Sequence, residues 1–388
     1  MATAIISGAL ANKPGNGGGA WERLSWAVGL RRLGFDVWFV EQIAPRVCID
    51  AAGAVTDFEA SINLDWFRSV TRWFGFAERS ALVCGERCAG VPWPRLLEVA
   101  EEAGLLVNLS GHLTLAPLLE RVRCKAYIDV DPGFTQFWHA DPSTPFEVAG
   151  HDYYFTIGEN IGRPGCSIPT GGIAWRPIRQ PVVLGDWPLV SEGVFENTGR
   201  RFTTIASWRG PYGPVEVDGK RFGLKVHEFR KFIELPRRSN QAFEIALSIH
   251  PGDQQDLQAL RDHGWHIVDP MEVADMPEKF RRYVQGSAAE FSVAQGIYVD
   301  THSGWFSDRT VRYLASGKPA LVQDTGCGRQ IPAGEGLLTF RTLDEAVSGA
   351  EEIVRNYPQH CRAARALAED YFDSDKVLGR LLEEIGLR

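Results

Sequence analysis

Several things are scarce in this 388-residue chain, and each scarcity removes a class of function. No stretch approaches 18 uninterrupted apolar residues, so a membrane-spanning helix is not expected. The opening "MATAIISGALANKPG" lacks the basic start and long apolar core of a secretory signal, which predicts a soluble, unprocessed protein of the cytoplasm. Lys and Arg number 41 against 49 Asp and Glu, a net charge of −8, and no block of basic residues forms an arm. A nucleic-acid partner is therefore not expected, because nothing in excess could neutralise a phosphate backbone. The seven cysteines are scattered, and only Cys84 and Cys88 lie close; no second pair or His doublet completes a zinc set, so reduced thiols and no metal are expected. No repeat of 20 to 50 residues and no low-complexity tract appears, which excludes a solenoid or a disordered arm.

What is present is an ordinary globular composition, 44% hydrophobic and 23% charged, in a chain too long for one average core. "TAIISGAL" fits a buried strand; "AWERLSWAVGLRRLG" follows at helical spacing and ends at Gly34, and "DVWFVE" is a second apolar strand. The alternation continues through "WPRLLEVAEEAG", "LLVNLSG", "LTLAPLLERV" and "KAYIDVDPG". Strand, loop, helix, strand is the mark of a parallel sheet covered by helices. A stiff, proline-bearing segment, "WRPIRQPVVLGDWP", interrupts the series. A second series then runs from "RFTTIASW" through "AFEIALSI", "WHIVD", "FSVAQGIYVDTHSG" and "KPALVQD" to closing helices. The expectation is an α/β protein of two tandem doubly wound, Rossmann-like domains facing a central cleft: residues 1–178, a linker at 179–198, and residues 199–388. The linker and the last helix, "VLGRLLEEIGL", are expected to act as hinges.

Ligands of open parallel sheets bind outside the carboxyl ends of the strands. "IYVD" would deliver Thr301 to Ser307 to such an end, with a helix from about Asp308 offering its free N–H groups to an anion. This segment, "THSGWFS", with the "LASGKPALVQD" that follows its helix, resembles the donor-binding segment of the two-domain GT-B glycosyltransferases that use nucleotide sugars. That resemblance implies that His302, Gly304, Trp305 and Ser307 hold a diphosphate, and that Gln323 and Asp324 reach sugar hydroxyls; Thr301, Ser303 and Asp308 are donor-site candidates by their place in the turn and at the start of the helix. Departures are visible: Phe306 and Thr310 stand where the family has asparagine and a ribose-binding glutamate. Trp265 matches a base-stacking tryptophan in kind but lies too far upstream. Arg209 in "ASWRGPYG" and Arg309 are placed to add charge to the phosphates.

Other constellations leave alternatives open. Gly15-x-Gly17-x-x-Ala20 satisfies a loose dinucleotide fingerprint with Glu41 as the ribose acid, so a nicotinamide oxidoreductase stays a rival; Gly17, Gly18 and Gly19 equally let a substrate approach the backbone. Asp129-x-Asp131 could hold a metal or simply shape a turn. For a base that accepts the acceptor's proton, Glu22, His112 and Asp129 are the candidates, and the sequence does not choose among them. Trp21, Trp26, Phe134, Phe137 and Trp138 suit an aromatic small-molecule acceptor or a plain core. The expected function is metal-independent glycosyl transfer from a nucleoside-diphosphate sugar to a small-molecule acceptor, with no cofactor. A sugar-nucleotide epimerase or hydrolase is the alternative, and a homodimer is an allowed state.

Overall fold

The structure is a computed structural model and describes residues 2–141, 143–144, 148–190, 201–210, 212–217 and 219–387. A first sheet holds β1 (Thr3–Ser7), β2 (Asp36–Ile43), β3 (Ser80–Cys84), β4 (Arg87–Gly90), β5 (Ala103–Leu109), β6 (Lys125–Asp129), β7 (Tyr153–Thr156) and β8 (Arg176–Pro177). Its order is β4-β3-β2-β1-β5-β6-β7-β8, parallel except for the β3–β4 hairpin. The second half contributes β9 (Arg201–Ser207), a hairpin of β10 (Val215–Val217) and β11 (Lys220–Phe222), then β12 (Ala242–Ser248), β13 (His266–Val268), β14 (Ala289–Ser292), β15 (Ala320–Gln323) and β16 (Leu337–Phe340). All but the hairpin form a parallel sheet in the order β13-β12-β9-β14-β15-β16. Every residue of β1, β3, β14 and β15 is buried, as expected for strands covered by helices on both faces; β1, β3 and β15 are accordingly mostly apolar runs, whereas β14 alternates, its buried Glu290 and Ser292 both bonded to Arg309.

The helices that shape the site are α1 (Gly17–Arg32), α2 (Phe134–Ala140), α3 (Lys225–Arg230), α4 (Pro277–Gly286), α5 (Gly296–Asp300), α6 (Asp308–Ala315) and α7 (Ser374–Glu384). Central among them is α1, which follows the first strand and packs on α4 and α6 of the second domain as well as on α7. The Trp21 indole donates to Pro277 O at 2.8 Å and packs against Trp187 and Phe74 at 4.8 and 5.0 Å. Gly17 N donates to Ala274 O at 2.9 Å, and a Cβ on Gly17 would stand 2.4 Å from Met276 O. Only glycine permits that approach.

Two expectations change here. The strand foreseen in "FSVAQGIYVD" stops at Ser292, and "GIYVD" is the helix α5, whose Ile297 and Tyr298 are buried in a cluster with Phe134 and Phe137. A short apolar run does not by itself separate a strand from a buried helical turn. The second domain also does not extend unbroken to the carboxyl terminus. Val182 and Asp373 form a bridge, Arg32 pairs with Asp375 at 3.2 Å, and Gly29 admits Leu378 and Ser374, so α7 packs on the first domain. The foreseen linker is packed where it is described: Gln180, Val182, Val183 and Trp187 are buried, and 191–198 lie outside the described residues.

Because the Gly17 contact is backbone against backbone, Gly17→Ala is expected to destabilise the protein by about 1–3 kcal/mol, as overpacking typically does. Gly185, whose added Cβ meets nothing within 4 Å, supplies the control. Equal unfolding midpoints in urea for Gly17→Ala and Gly185→Ala would refute the role given to this contact.

Candidate functional site

Between the carboxyl ends of the two sheets lies a cavity of about 780 Å³, a size suited to a small ligand. Its first-domain wall is the loop after β1, the start of α1 and the end of β6. The loop owes its shape to Glu41: this buried carboxylate accepts from Leu10 N, Ala11 N and Asn12 N at 2.9, 2.6 and 2.9 Å. Burial pushes Glu41 up to about 7, while the three N–H donors pull it down. An acid so engaged is not available to a ribose, which removes the acid from the dinucleotide fingerprint. Gly18 and Gly19 line the cavity, and Asn16 caps α1 by accepting from Gly19 N at 2.8 Å.

The two aspartates after β6 have separate tasks. Asp129 is fully buried and accepts from Thr135 Oγ1, Gln136 Nε2 and Thr156 Oγ1 at 2.6 to 2.7 Å, and from Asp131 N at 3.1 Å. Burial pushes it up to about 6 against those donors. With its lone pairs filled it has no room for a substrate or a metal. Asp131 lines the cavity instead; burial raises its pKa, opposed by the cations Lys13 and Arg23, and the Tyr212 hydroxyl donates to it at 3.4 Å. Glu22 also lines the cavity, paired with Arg23 and accepting from Gln180 Nε2 at 3.2 Å; burial raises its pKa against the Arg23 charge. His112 is half-buried and outside the described lining. Burial, with the charges of Arg23 and Lys13, drops its pKa to about 4, so the imidazole is neutral.

On the second-domain wall, Trp305, Ser307, Asp308 and Arg309 line the cavity, so the amino end of α6 does face it. Arg309 is anchored by Glu290 at 2.7 Å, Ser292 Oγ at 2.8 Å and Ile205 O at 2.9 Å. Beside it stands Lys225, at the start of α3. Its ammonium has no hydrogen-bond or ion-pair partner among the described residues, and burial together with Arg309 pushes its pKa down to about 7.

The rest of the expected donor motif is elsewhere. His302 is exposed, sits at φ 50°, and is absent from the described lining. Thr301 Oγ1 donates to Ile297 O at 2.6 Å, Ser303 Oγ to Tyr298 O at 3.2 Å, and Gly304 N to Thr325 O at 2.8 Å. Asn160 of the first domain closes over this turn, donating from Nδ2 to His302 O at 3.0 Å and to Gly326 O at 3.1 Å. The donors expected for phosphate are therefore spent within the second domain, and the turn meets the first domain through its carbonyls, which accept from Asn160. The cause is α5: by coiling, it carries Thr301–Gly304 past the strand end. Arg209 is exposed and pairs with Asp253 at 2.9 Å, because Trp208 turns into the core to donate to Asp256. Gln323 is buried between Ala294 N and Glu228, Asp324 pairs with Arg341 at 2.6 Å, and Trp265 packs in the second core with its indole on Ile233 O. Sequence reasoning does not reach Lys13, Arg23 and Lys225. A lysine opening a helix in "GLKVHEF", where acids are preferred, is the available signal.

No three His, Cys, Asp or Glu side chains gather as metal ligands among the described residues, and no described helix is long and apolar enough to cross a membrane. No protein-family model and no curated protein matches the chain. Solved structures do. An alpha-glucosyltransferase in complex with UDP and a 13-mer DNA containing a central A:G mismatch superposes with a TM-score of 0.59 at 11% identity, over 100% of this chain and 99% of the other. An Anabaena protein, HepE, in complex with UDP and glucose gives 0.57 at 9% identity, over 100% of both chains. Sucrose-phosphate synthase from Thermosynechococcus elongatus gives 0.53 at 9% identity, over 100% and 99%. At these identities the likeness establishes the fold: the chain has the two-domain GT-B architecture of glycosyltransferases.

Proposed function

We propose that this protein is a metal-independent glycosyltransferase that moves a sugar from a nucleoside-diphosphate sugar to a hydroxyl group of a small-molecule acceptor. The observation that carries the proposal is Lys225: an unpartnered ammonium, desolvated beside a second cation and facing the amino end of α6, is an arrangement that calls for an anion. Two structural neighbours hold UDP, which makes a uridine diphosphate the first ligand to test. The net charge of −8 favours a small acceptor over the DNA that one of those neighbours holds.

Glycosyl transfer needs the departing diphosphate's charge stabilised and an acceptor oxygen held near the anomeric carbon. Lys225, Arg309 and the α6 N–H groups meet the first need. For the second, Asp131 replaces Asp129 as the carboxylate in position: it lines the first-domain wall and can accept a hydrogen bond from the acceptor hydroxyl. Glu22 is held by Arg23 and Gln180 and serves better to orient that arginine. An epimerase or hydrolase would use the same phosphate cradle, but nothing in this cavity favours either over transfer.

Lys225→Gln is expected to lower kcat by a factor of about 100 or more with little change in melting temperature, since one transition-state donor is typically worth about 2.7 to 4 kcal/mol. His302→Ala should leave turnover nearly intact, and turnover should persist in EDTA. A dead His302→Ala enzyme beside an active Lys225→Gln enzyme would reverse the assignment.

A pH dependence follows with a definite sign. Free Lys225 titrates near 7, and a bound diphosphate would raise that value. Binding then takes up a proton above pH 7, so UDP affinity is expected to be flat below about 7 and to fall about tenfold per unit above it. Lys225→Arg, which stays charged, should flatten the profile. Calorimetry in two buffers of different ionisation enthalpy measures the proton uptake, and no uptake at pH 8 would exclude Lys225 as the phosphate ligand.

A further inference from the structure

We infer that a second cavity, of about 650 Å³, is the acceptor subsite and takes a planar, uncharged aromatic body whose hydroxyl reaches Asp131; this rests on the glycosyltransferase proposal above. The cavity lies between α2 of the first domain and the β10–β11 hairpin of the second, lined by Phe137, Trp138, Pro169, Pro214, Val215 and Val217. Phe222 on β11 packs 5.3 Å from Phe137, so the hairpin straps the domains together on this side.

Its chemistry selects the occupant. No Lys, Arg or His is found among the described lining residues, so an anionic body has no counter-ion there. The acids present do not ask for a cation: Asp141 already accepts from Ser143 and Thr144 at 2.7 to 2.9 Å, and Glu216 faces solvent. Flat apolar surface with an indole at its edge suits an aromatic ring.

Tyr212 stands between this cavity and the main one. Its ring meets Trp138 edge-on at 4.8 Å and Phe134 at 5.0 Å, while its hydroxyl donates to Asp131, which lines the main cavity. A body lying against Trp138 is thus one aromatic ring, that of Tyr212, away from the carboxylate assigned to the acceptor hydroxyl, and Tyr212 must turn aside for its hydroxyl to arrive there. The two cavities then divide one reaction between donor and acceptor.

The probe is 4-methylumbelliferone, a planar neutral phenol at pH 6.5, titrated into the protein with and without UDP and followed by quenching of protein fluorescence. Saturable binding is expected. Val217→Trp, which fills the cavity, and Trp138→Ala, which removes its indole, should each weaken binding at least tenfold while UDP affinity stays within twofold. Should Val217→Trp fail to fold, Trp138→Ala decides alone. Absent saturable phenol binding, or binding unmoved by the variants, the subsite is wrong. Phenol binding that the variants abolish in a protein that never binds UDP would support the subsite and sink the glycosyltransferase proposal.

Discussion

The site depends on one buried arginine. Arg312, on α6 of the second domain, is wholly inaccessible; it donates from Nη2 to Trp21 O and Ser25 Oγ on α1, both at 3.1 Å, and from Nη1 to Asp308 O at 2.7 Å. Taking a guanidinium out of water costs on the order of several kcal/mol, and burial accordingly lowers its pKa, with Asp308 and Glu22 opposing. The arrangement persists because three acceptors fix it and because α1 cannot be placed elsewhere: Gly17 meets the second domain at its amino end, and Gly29 admits α7 farther along. The cavity is the space left when two sheets are held end to end by one shared helix. Anything that shifts α1 moves Gly18, Gly19, Glu22 and Arg23 relative to Lys225 and Arg309.

That coupling explains the uneven pairing of charge. Arg309 has Glu290, Arg23 has Glu22, and Arg209 has Asp253, so each guanidinium is met by a carboxylate whether or not a ligand is present. Lys225 is the exception on the second-domain wall, as Lys13 is across the cavity: neither ammonium has a hydrogen-bond or ion-pair partner among the described residues. An ammonium tolerates this better than a guanidinium would, because it can release its proton when desolvated. Half-buried beside Arg309, with Glu290 and Asp308 offsetting its charge only in part, Lys225 gives up its proton readily, and an anion would favour the charged form.

Much of the fold is legible in the sequence, because a strand covered on both faces must be a short apolar run and its crossover helix must be periodic. "RFTTIASW", "AFEIALSI" and "KPALVQD" become β9, β12 and β15 on that logic. The site is less legible, and α5 shows why. "GIYV" is apolar enough to be either a strand end or a buried turn, and only packing against Phe134 and Phe137 decides between them. That single ambiguity moves His302 out of the cavity and leaves Ser307 to Arg309 inside it. Asp129 and Asp131 look alike in the sequence and two positions apart on a strand would share a face, yet they differ because β6 ends at Asp129 and Asp131 lies beyond it in the turn: one meets three side-chain donors, the other the cleft. The return of α7 to the first domain has no local signal at all, since its partner surface is on α1.

The turn from Thr301 to Gly304 resembles a phosphate-binding motif yet spends its hydrogen bonds on the protein itself. Its hydroxyls donate to Ile297 O and Tyr298 O, Gly304 N donates to Thr325 O, and the carbonyl of the left-handed His302 accepts from Asn160, the residue that ties the turn to the first domain. A turn rich in donors and small residues can cradle an anion or dock a neighbouring backbone, and both uses require the same composition. What separates them is whether the donors are already spent. At Thr301, Ser303 and Gly304 they are, whereas at Lys225 they are not; the unspent donor, rather than the matching motif, marks where an anion can bind.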